Sequence, residues 1–456
     1  MMLPEKNVLV VGLGKSGQAA IELLLRKGAH PLAFDSKRAD ELGAVSDWLR
    51  EKQIPAYCGE DFLYPQEIPI DLLVVSPGIS MQLPVIAMAQ EKNIPIWSEL
   101  ELAYQVKPAG VNLLGITGTN GKTTTTHLVA DILERAGYPV CMGGNVGTPL
   151  SALAEEFEQG YWVVEISSFQ LEAVHDFHAE GAAILNITPD HLDRHITMEN
   201  YISCKKRIYN HQIEQDFTLL NADDPVLKPL TSAPDGRVFF FSLTQRLTDG
   251  IWVEDEKIVF KLGGSQKTVC LVSELKLRGK HNLENVLCAV GMAALIGVSI
   301  EVMAASLRAF AGVRHRIEEA AYLNGVLYVN DSKGTNQVST IKALEAFAEP
   351  IVLIAGGYDK GTDFDELPFW VKKKVKHLIL MGATQHKIAA AMIETGYPQE
   401  NILLVASLAE AVQRAQIIAV SGDVVLLSPA CASWDSFKSY EERGDVFCQL
   451  VKKISQ

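Results

Sequence analysis

A chain of 456 residues is longer than one hydrophobic core ordinarily serves, so several domains are expected. Hydrophobic residues make up 48% and charged residues 21%, which excludes a disordered or fibrous chain and describes a soluble globular one. The formal net charge of −14 argues against nucleic acid as a partner, and any anionic substrate has to be met by local cations.

No N-terminal stretch combines a basic start with the apolar middle of a signal peptide. The longest uncharged apolar run, residues 286–300, is too short to span a bilayer and is expected as a buried helix, so no membrane insertion is expected. Seven cysteines without a Cys-x-x-Cys pair point to reduced thiols, and with them to the cytoplasm.

Short β-rich runs alternate with helical stretches along the chain, the mark of α/β domains on parallel sheets. Strands are expected at 7–11, 72–75, 113–116, 162–166, 183–186, 326–330, 351–355, 378–381 and 424–427. The first runs into Gly12-Leu13-Gly14-Lys15-Ser16-Gly17 and a helical stretch at 18–27, with Asp35 closing the next apolar run. A G-x-G-x-x-G turn between strand and helix lets a diphosphate approach the backbone at a helix N-terminus. NAD, FAD and a nucleotide-sugar diphosphate all fit, and so does a tight turn with no ligand.

Residues 106–110 read as one domain junction and 311–313 as another, dividing the chain into 1–105, 106–312 and 313–456. Just after the first junction, apolar residues 111–114 lead into GITGTNGKTTTT at 115–126 and then a helix. Such a turn aims several backbone N–H groups at one spot, where a polyphosphate is the natural occupant. Lys122 supplies a mobile cation for the β/γ-phosphates and Thr123 a hydroxyl suited to Mg²⁺. The usual first glycine of a phosphate loop is replaced by Ile116, with the glycines at Gly115 and Gly118 instead. ATP or GTP is the expected ligand.

Glu165 closes an apolar strand, where a carboxylate beside a phosphate loop can hold Mg²⁺. Asp190, His191 and Asp193 cluster after the next strand. Lys205, judged by composition, is an ordinary helical lysine on a solvated face. Asn282 reads as a helix N-cap sharing a face with Asn285, where their amides could pair with an adenine edge.

Taken together, these pieces resemble the ATP-dependent Mur ligases of cell-wall synthesis. The resemblance rests on TGTNGKTT at 117–124, GGNVG at 143–147, EISSFQLE at 165–172, NITPDHLDRH at 186–195, KKRIY at 205–209, NADD at 221–224 and GKHNLEN at 279–285. It continues with VRHRIE at 313–318, NDSKGTN at 330–336, AGGYDKGTDF at 355–364 and SPACASWDSFKSYEERG at 428–444, covering essentially the whole chain in order. Within the family, SSFQLE, NDSKGTN and SPACASWDSF look like the members that add D-glutamate.

The resemblance implies three α/β domains: a Rossmann-like N-terminal domain for the UDP-substrate, a central P-loop ATPase-type domain, and a C-terminal Rossmann-like domain for the amino acid and nucleotide clamp. It implies that ATP drives D-glutamate onto UDP-N-acetylmuramoyl-L-alanine through an acyl phosphate, in a protein acting as a monomer on small molecules. Catalytic roles fall to Lys122, Glu165, His191 and Lys205. The nucleotide is met by Gly118, Thr119, Asn120, Gly121, Lys122, Thr123, Thr124, Asn282, Arg316 and Asp331. Two Mg²⁺ sites use Thr123, Glu165, His191 and Lys205, the lysine as a carbamate, which reverses its reading from composition. Substrates are met by Ser16, Ser36 and Asn145 on the UDP side and by Lys333, Thr335, Lys360, Ser433 and Tyr440 around D-glutamate. Tyr440 stands where some members have Phe.

Overall fold

Aliphatic runs flanked by amphipathic helices give three separate sheets in chain order. They are seen in a computed structural model that describes residues 2–59, 68–145, 147–155, 158–230, 235–359, 361 and 363–454. The first sheet is wholly parallel, in the spatial order Ala56–Cys58, His30–Asp35, Asn7–Val11, Leu72–Val75, Ile96–Ser98. Its middle strands are buried along their length, as expected where helices cover both faces. Helix Lys15–Arg26 turns Ala20, Ile21, Leu23 and Leu24 into that core.

The second sheet has nine strands, with Gly110–Thr117 lying between Gly181–Ile184 and Gln159–Glu165. Ile116 pairs with Glu165 and Thr117 with Ile184, so three strands end together at one carboxyl edge. Loops leaving that edge are where a parallel sheet presents its ligands. The third sheet places Val326–Asn330, Val424–Leu427, Ile351–Ala355, Val375–Leu380 and Ile402–Leu404 in parallel, with Glu318–Leu323 antiparallel on one edge.

The chain forms two compact units. The first two sheets share one, Met1–Glu274 with Glu284–Arg308, and the third sheet belongs to the other, Leu275–Leu283 with Ala309–Gln456. Within the first unit, Glu101 ties the first sheet's region to the second: its carboxylate accepts the N–H groups of His175, Asp176 and Phe177 at 2.9–3.1 Å.

All nine expected strands are present, with ends shifted by a few residues at some. Two expectations fail. The apolar run 286–300 is not one helix: helix Lys280–Ile296 stops at Gly297, whose φ of 96° suits a helix-ending glycine, and Ile300–Ala309 begins anew. Nor does α/β alternation continue through the second domain. Phe217–Asn221, Arg237–Ser242, Gly250–Glu254, Lys257–Lys261 and Lys267–Leu271 follow with no helix between them among the described residues, and the last three pair antiparallel in sequence. The hairpin of Gly250–Glu254 and Lys257–Lys261 turns on Asp255 and Glu256, both at positive φ without a glycine, so the usual Asn-Gly signal is missing. No helix among the described residues is long and apolar enough to cross a membrane.

Candidate active site

The loop after Gly110–Thr117 turns sharply at Gly118 and Gly121, with φ of 151° and 86°. A Cβ at Gly121 would also fall 2.2 Å from the Asn285 side-chain oxygen, so position 121 admits only glycine. The segment after Gly181–Ile184 buttresses the loop. Asn120 N–H donates to Asn186 Oδ1 at 2.8 Å, Thr119 N–H to the Asn186 carbonyl at 2.9 Å, and Thr188 N–H to Thr119 Oγ1 at 3.0 Å. Helix Lys122–Arg135 then starts with Thr123 and Thr124 buried in its first turn. Lys122 Nζ curls back to donate to the Gly118 and Thr119 carbonyls, at 2.8 Å each.

Lys205 comes to the same loop from helix Met198–Lys206. Only 1% exposed, its Nζ donates to the Gly118 carbonyl at 2.9 Å and lies 4.7 Å from the Tyr201 ring centroid. Burial first, and the Lys122 charge second, push its pKa down to about 7. The solvated-face reading from composition is therefore wrong. Tyr201, Cys204, Lys205 and Ile208 form one inward stripe at helical spacing, and that stripe was the signal available in the sequence.

Glu165 is buried at the end of its strand. Oε1 accepts the Asn145 side-chain amide at 2.9 Å, and the Glu165 carbonyl accepts Asn145 N–H at 2.8 Å. Oε2 is buried with no hydrogen-bond partner. A lone buried carboxylate oxygen beside a phosphate loop is what a hard cation satisfies, so this donor set fits Mg²⁺. His191 follows strand Gly181–Ile184, with φ 52° and half-exposed, its Nε2 3.5 Å from Asp190 Oδ2 and its ring 4.8 Å from that of Phe169. Among the described residues no group of three or more His, Cys, Asp or Glu forms a ready cation cage, and Thr123, Glu165, His191 and Lys205 include only two such residues.

In the first sheet, Gly14 faces open space: a Cβ there would meet nothing within 4 Å, whereas one at Gly17 would lie 1.9 Å from the Gly12 carbonyl oxygen. Gly17 thus serves close packing and Gly14 leaves room for a ligand. Asp35 braces this turn, accepting Leu13 N–H at 2.8 Å and Lys37 N–H at 3.0 Å. Ser16, in the first turn of helix Lys15–Arg26, and Ser36, just past strand His30–Asp35, are half-buried.

The third sheet carries its own cluster. Asp331, just past Val326–Asn330, is buried, and burial pushes its carboxyl up to about 7 against the opposing Ser428 hydrogen bond and Arg316 charge. Ser428 Oγ donates to Asp331 Oδ2 at 2.6 Å. Arg316 Nε is buried with no partner. Lys333 Nζ lies 5.6 Å from the Tyr440 ring centroid, Thr335 N–H donates to the Lys333 carbonyl at 2.8 Å, and Ser433 is buried. Lys360 lies outside the described residues.

Asn282 is not a helix cap. The helix starts at Lys280 after Gly279, whose φ of 90° redirects the chain, and Asn282 donates from the first turn to the Arg278 carbonyl at 2.7 Å. Sequence reasoning also missed Arg443. Its wholly buried guanidinium donates to Ser332 Oγ and carbonyl at 2.9 and 2.8 Å and to the Cys431 and Ala432 carbonyls at 3.2 and 3.3 Å. It thereby pins together the segments bearing Lys333 and Ser433. Arg443, Phe447 and Val451 share the buried face of helix Tyr440–Ile454, a spacing legible in the sequence.

Three family models match the chain: a Mur ligase MurD-like N-terminal domain over residues 6–98, a Mur ligase middle domain over 116–293, and a Mur ligase glutamate ligase domain over 315–431. Among curated relatives, the UDP-N-acetylmuramoylalanine--D-glutamate ligase of Caldanaerobacter subterraneus subsp. tengcongensis is 44% identical over all of both chains. That of Pelotomaculum thermopropionicum is also 44% identical, over 99% of this chain and 98% of its own. Among solved structures, the UDP-N-acetylmuramate-alanine ligase MurC of Thermotoga maritima is similar with a TM-score of 0.59 at 18% identity, covering 99% of this chain and 100% of its own. MurF of Acinetobacter baumannii is similar with a TM-score of 0.62 at 19% identity, over 93% and 91%. At such identity the solved structures speak to the fold alone.

Proposed function

The chain belongs to the Mur ligase family, ATP-dependent ligases of peptidoglycan precursor synthesis, and we propose that it joins D-glutamate to UDP-N-acetylmuramoyl-L-alanine. The 44% identical relatives bear that reaction in their names. The observation within the molecule that carries the reading is the convergence of Lys122 and Lys205 on the phosphate loop, beside a buried Glu165 oxygen left for a cation. The domains are taken as 1–105 for the UDP-substrate, 106–312 for ATP, and 313–456 for the amino acid and nucleotide clamp. The substrates are small molecules, and we take the protein as a cytoplasmic monomer.

A carboxylate does not condense with an amine in water without activation. The alanine carboxylate attacks the γ-phosphorus of ATP, ADP leaves, and an acyl phosphate forms. The D-glutamate amine then attacks the acyl carbon, and the C–N bond forms as phosphate departs. Attacker and phosphoryl group are both anionic, so the site must concentrate positive charge. Lys122, released from the Gly118 and Thr119 carbonyls, bridges the β/γ-phosphates, within the cradle of Gly118, Thr119, Asn120, Gly121, Thr123 and Thr124.

Thr123, Glu165, His191 and a carbamylated Lys205 would hold Mg²⁺, in two sites. When bound, Mg²⁺ supplies further charge to the phosphate oxygens. Carbamylation suits Lys205: its amine, about half neutral at pH 7, adds to CO₂, forming an N–C bond and losing one proton to solvent. Ser16, Ser36 and Asn145 serve the UDP-substrate. Asn282, Arg316 and Asp331 serve the nucleotide. Lys333, Thr335, Lys360 and Ser433 meet the polar groups of D-glutamate, with the Tyr440 ring against its methylenes.

The test is an amino-acid panel with UDP-N-acetylmuramoyl-L-alanine, ATP and Mg²⁺, read as phosphate release. Release is expected with D-glutamate. Release only with L-alanine (on UDP-N-acetylmuramate) or with a diamino acid would overturn the reading.

A further inference from the structure

One side chain outside the machinery above lies in the segment of His191 and reaches the loop that follows strand Leu72–Val75, next to the first sheet's ligand turn. The Arg194 guanidinium is largely buried, as is Glu172. Arg194 Nε donates to Glu172 Oε1 and Oε2 at 3.0 and 3.1 Å, and Nη2 also donates to Oε2. Nη1 donates to the Pro77 carbonyl at 2.9 Å. The guanidinium carbon lies 4.1 Å from the Phe169 ring centroid, and Phe169 in turn packs on His191. At the other end, Ser76, next to Pro77, donates from Oγ to the Gly12 carbonyl at 2.7 Å, inside the glycine turn. A continuous chain of contacts thus runs Gly12, Ser76–Pro77, Arg194, Phe169, His191, all within the first compact unit.

An ion pair with Glu172 alone would need only a point charge. Here three different features of guanidinium are used: a fork toward the carboxylate, a further N–H toward Pro77, and a flat face toward Phe169. Lysine offers none of these together. His191 sits at left-handed φ with its side chain about half exposed, so its ring relies on contacts such as Phe169 for its orientation.

We propose that Arg194 is a positioning residue that couples the UDP-binding turn of the first domain to the placement of His191. The inference rests on the proposed function for the identity of the ligands at each end. Ligand seated on the Gly12–Gly17 turn and a cation held by His191 then each favour one arrangement of the same contact chain, and each strengthens the other.

The experiment uses Arg194→Lys, which keeps the charge and loses the fork. KM for UDP-N-acetylmuramoyl-L-alanine is expected to rise about tenfold while KM for D-glutamate stays unchanged. Mn²⁺ affinity of the substrate-free protein, read by electron paramagnetic resonance, is expected to fall about tenfold. Phe169→Leu should give the same pair of shifts, and the double variant no more than either alone. Unchanged values in Arg194→Lys, an equal rise in both KM values, or a lowered Tm with neither shift would each overturn the proposal. Wild-type protein that releases no phosphate with these substrates overturns the functional reading instead, and the Mn²⁺ comparison still decides whether Arg194 places His191.

Discussion

Lys122 and Lys205 donate to one acceptor, the Gly118 carbonyl oxygen, at 2.8 and 2.9 Å. Two ammonium groups sharing a buried acceptor repel each other, and the more deeply buried one yields its proton more readily. Lys205 is that group, held down to about 7. Burial is the larger cause and the Lys122 charge the second, and the proposed carbamylation needs the neutral amine that they favour.

The neutral fraction of Lys205 should rise from about one tenth at pH 6 to about nine tenths at pH 8. With ¹³C-bicarbonate, a carbamate signal is expected at pH 8, weak at pH 6 and missing in Lys205→Ala. An equal signal in the variant would place the carbamate elsewhere.

Unmodified Lys205 also makes stability depend on pH. Its pKa is about 7 when folded and about 10.4 when unfolded, so between these values the unfolded chain holds more protons. Stability therefore rises with pH through this window, and below about pH 7 the burial cost is fully present. In CO₂-free buffer, Lys205→Met should raise Tm by a few degrees at pH 7, with the gain shrinking toward pH 10. Thermal melts across this range check the slope; a gain that grows with pH would contradict it.

Lys122→Ala should lower turnover at least about 10³-fold, the scale of losing a charge-stabilising donor, with circular dichroism unchanged. Lys205→Ala should be as inactive, yet partly rescued by formate or acetate, which restore an anion where the carbamate would sit. Full activity in either variant refutes its role.

Arg443→Met leaves the Ser332, Cys431 and Ala432 carbonyls without their donor. A loss of about 3 kcal/mol is expected, with KM for D-glutamate up about tenfold and KM for the UDP-substrate unchanged. Denaturant titration and initial rates measure both; an unchanged glutamate KM removes Arg443 from the pocket's support.

Much of the candidate site was legible because phosphate binding is local chemistry. Gly118, Gly121, Lys122 and Thr123 lie within six residues, and the strand before and helix after them announce the turn. Residues whose role depends on burial were not legible from composition. Lys205 and Arg443 look like any helical cation until neighbouring elements enclose them. Asn282 has a capping residue's chemistry, but Gly279 had already begun the helix. The Asp255-Glu256 hairpin escaped because pairing of its strands holds those residues at positive φ, against their own preference.

The sequence by itself determined nine of the strands, the phosphate loop and the family, since each is written in residues close together along the chain. Only the tertiary structure decided that Lys205 shares a carbonyl with Lys122, that one Glu165 oxygen is left without a donor, and that Arg194 reaches Pro77. The two lysines lie 83 positions apart and Arg194 and Pro77 lie 117 apart, and only folding brings them together. Burial then changes what their charges can do, because removing water raises the cost of every unpaired ion and the value of every partner.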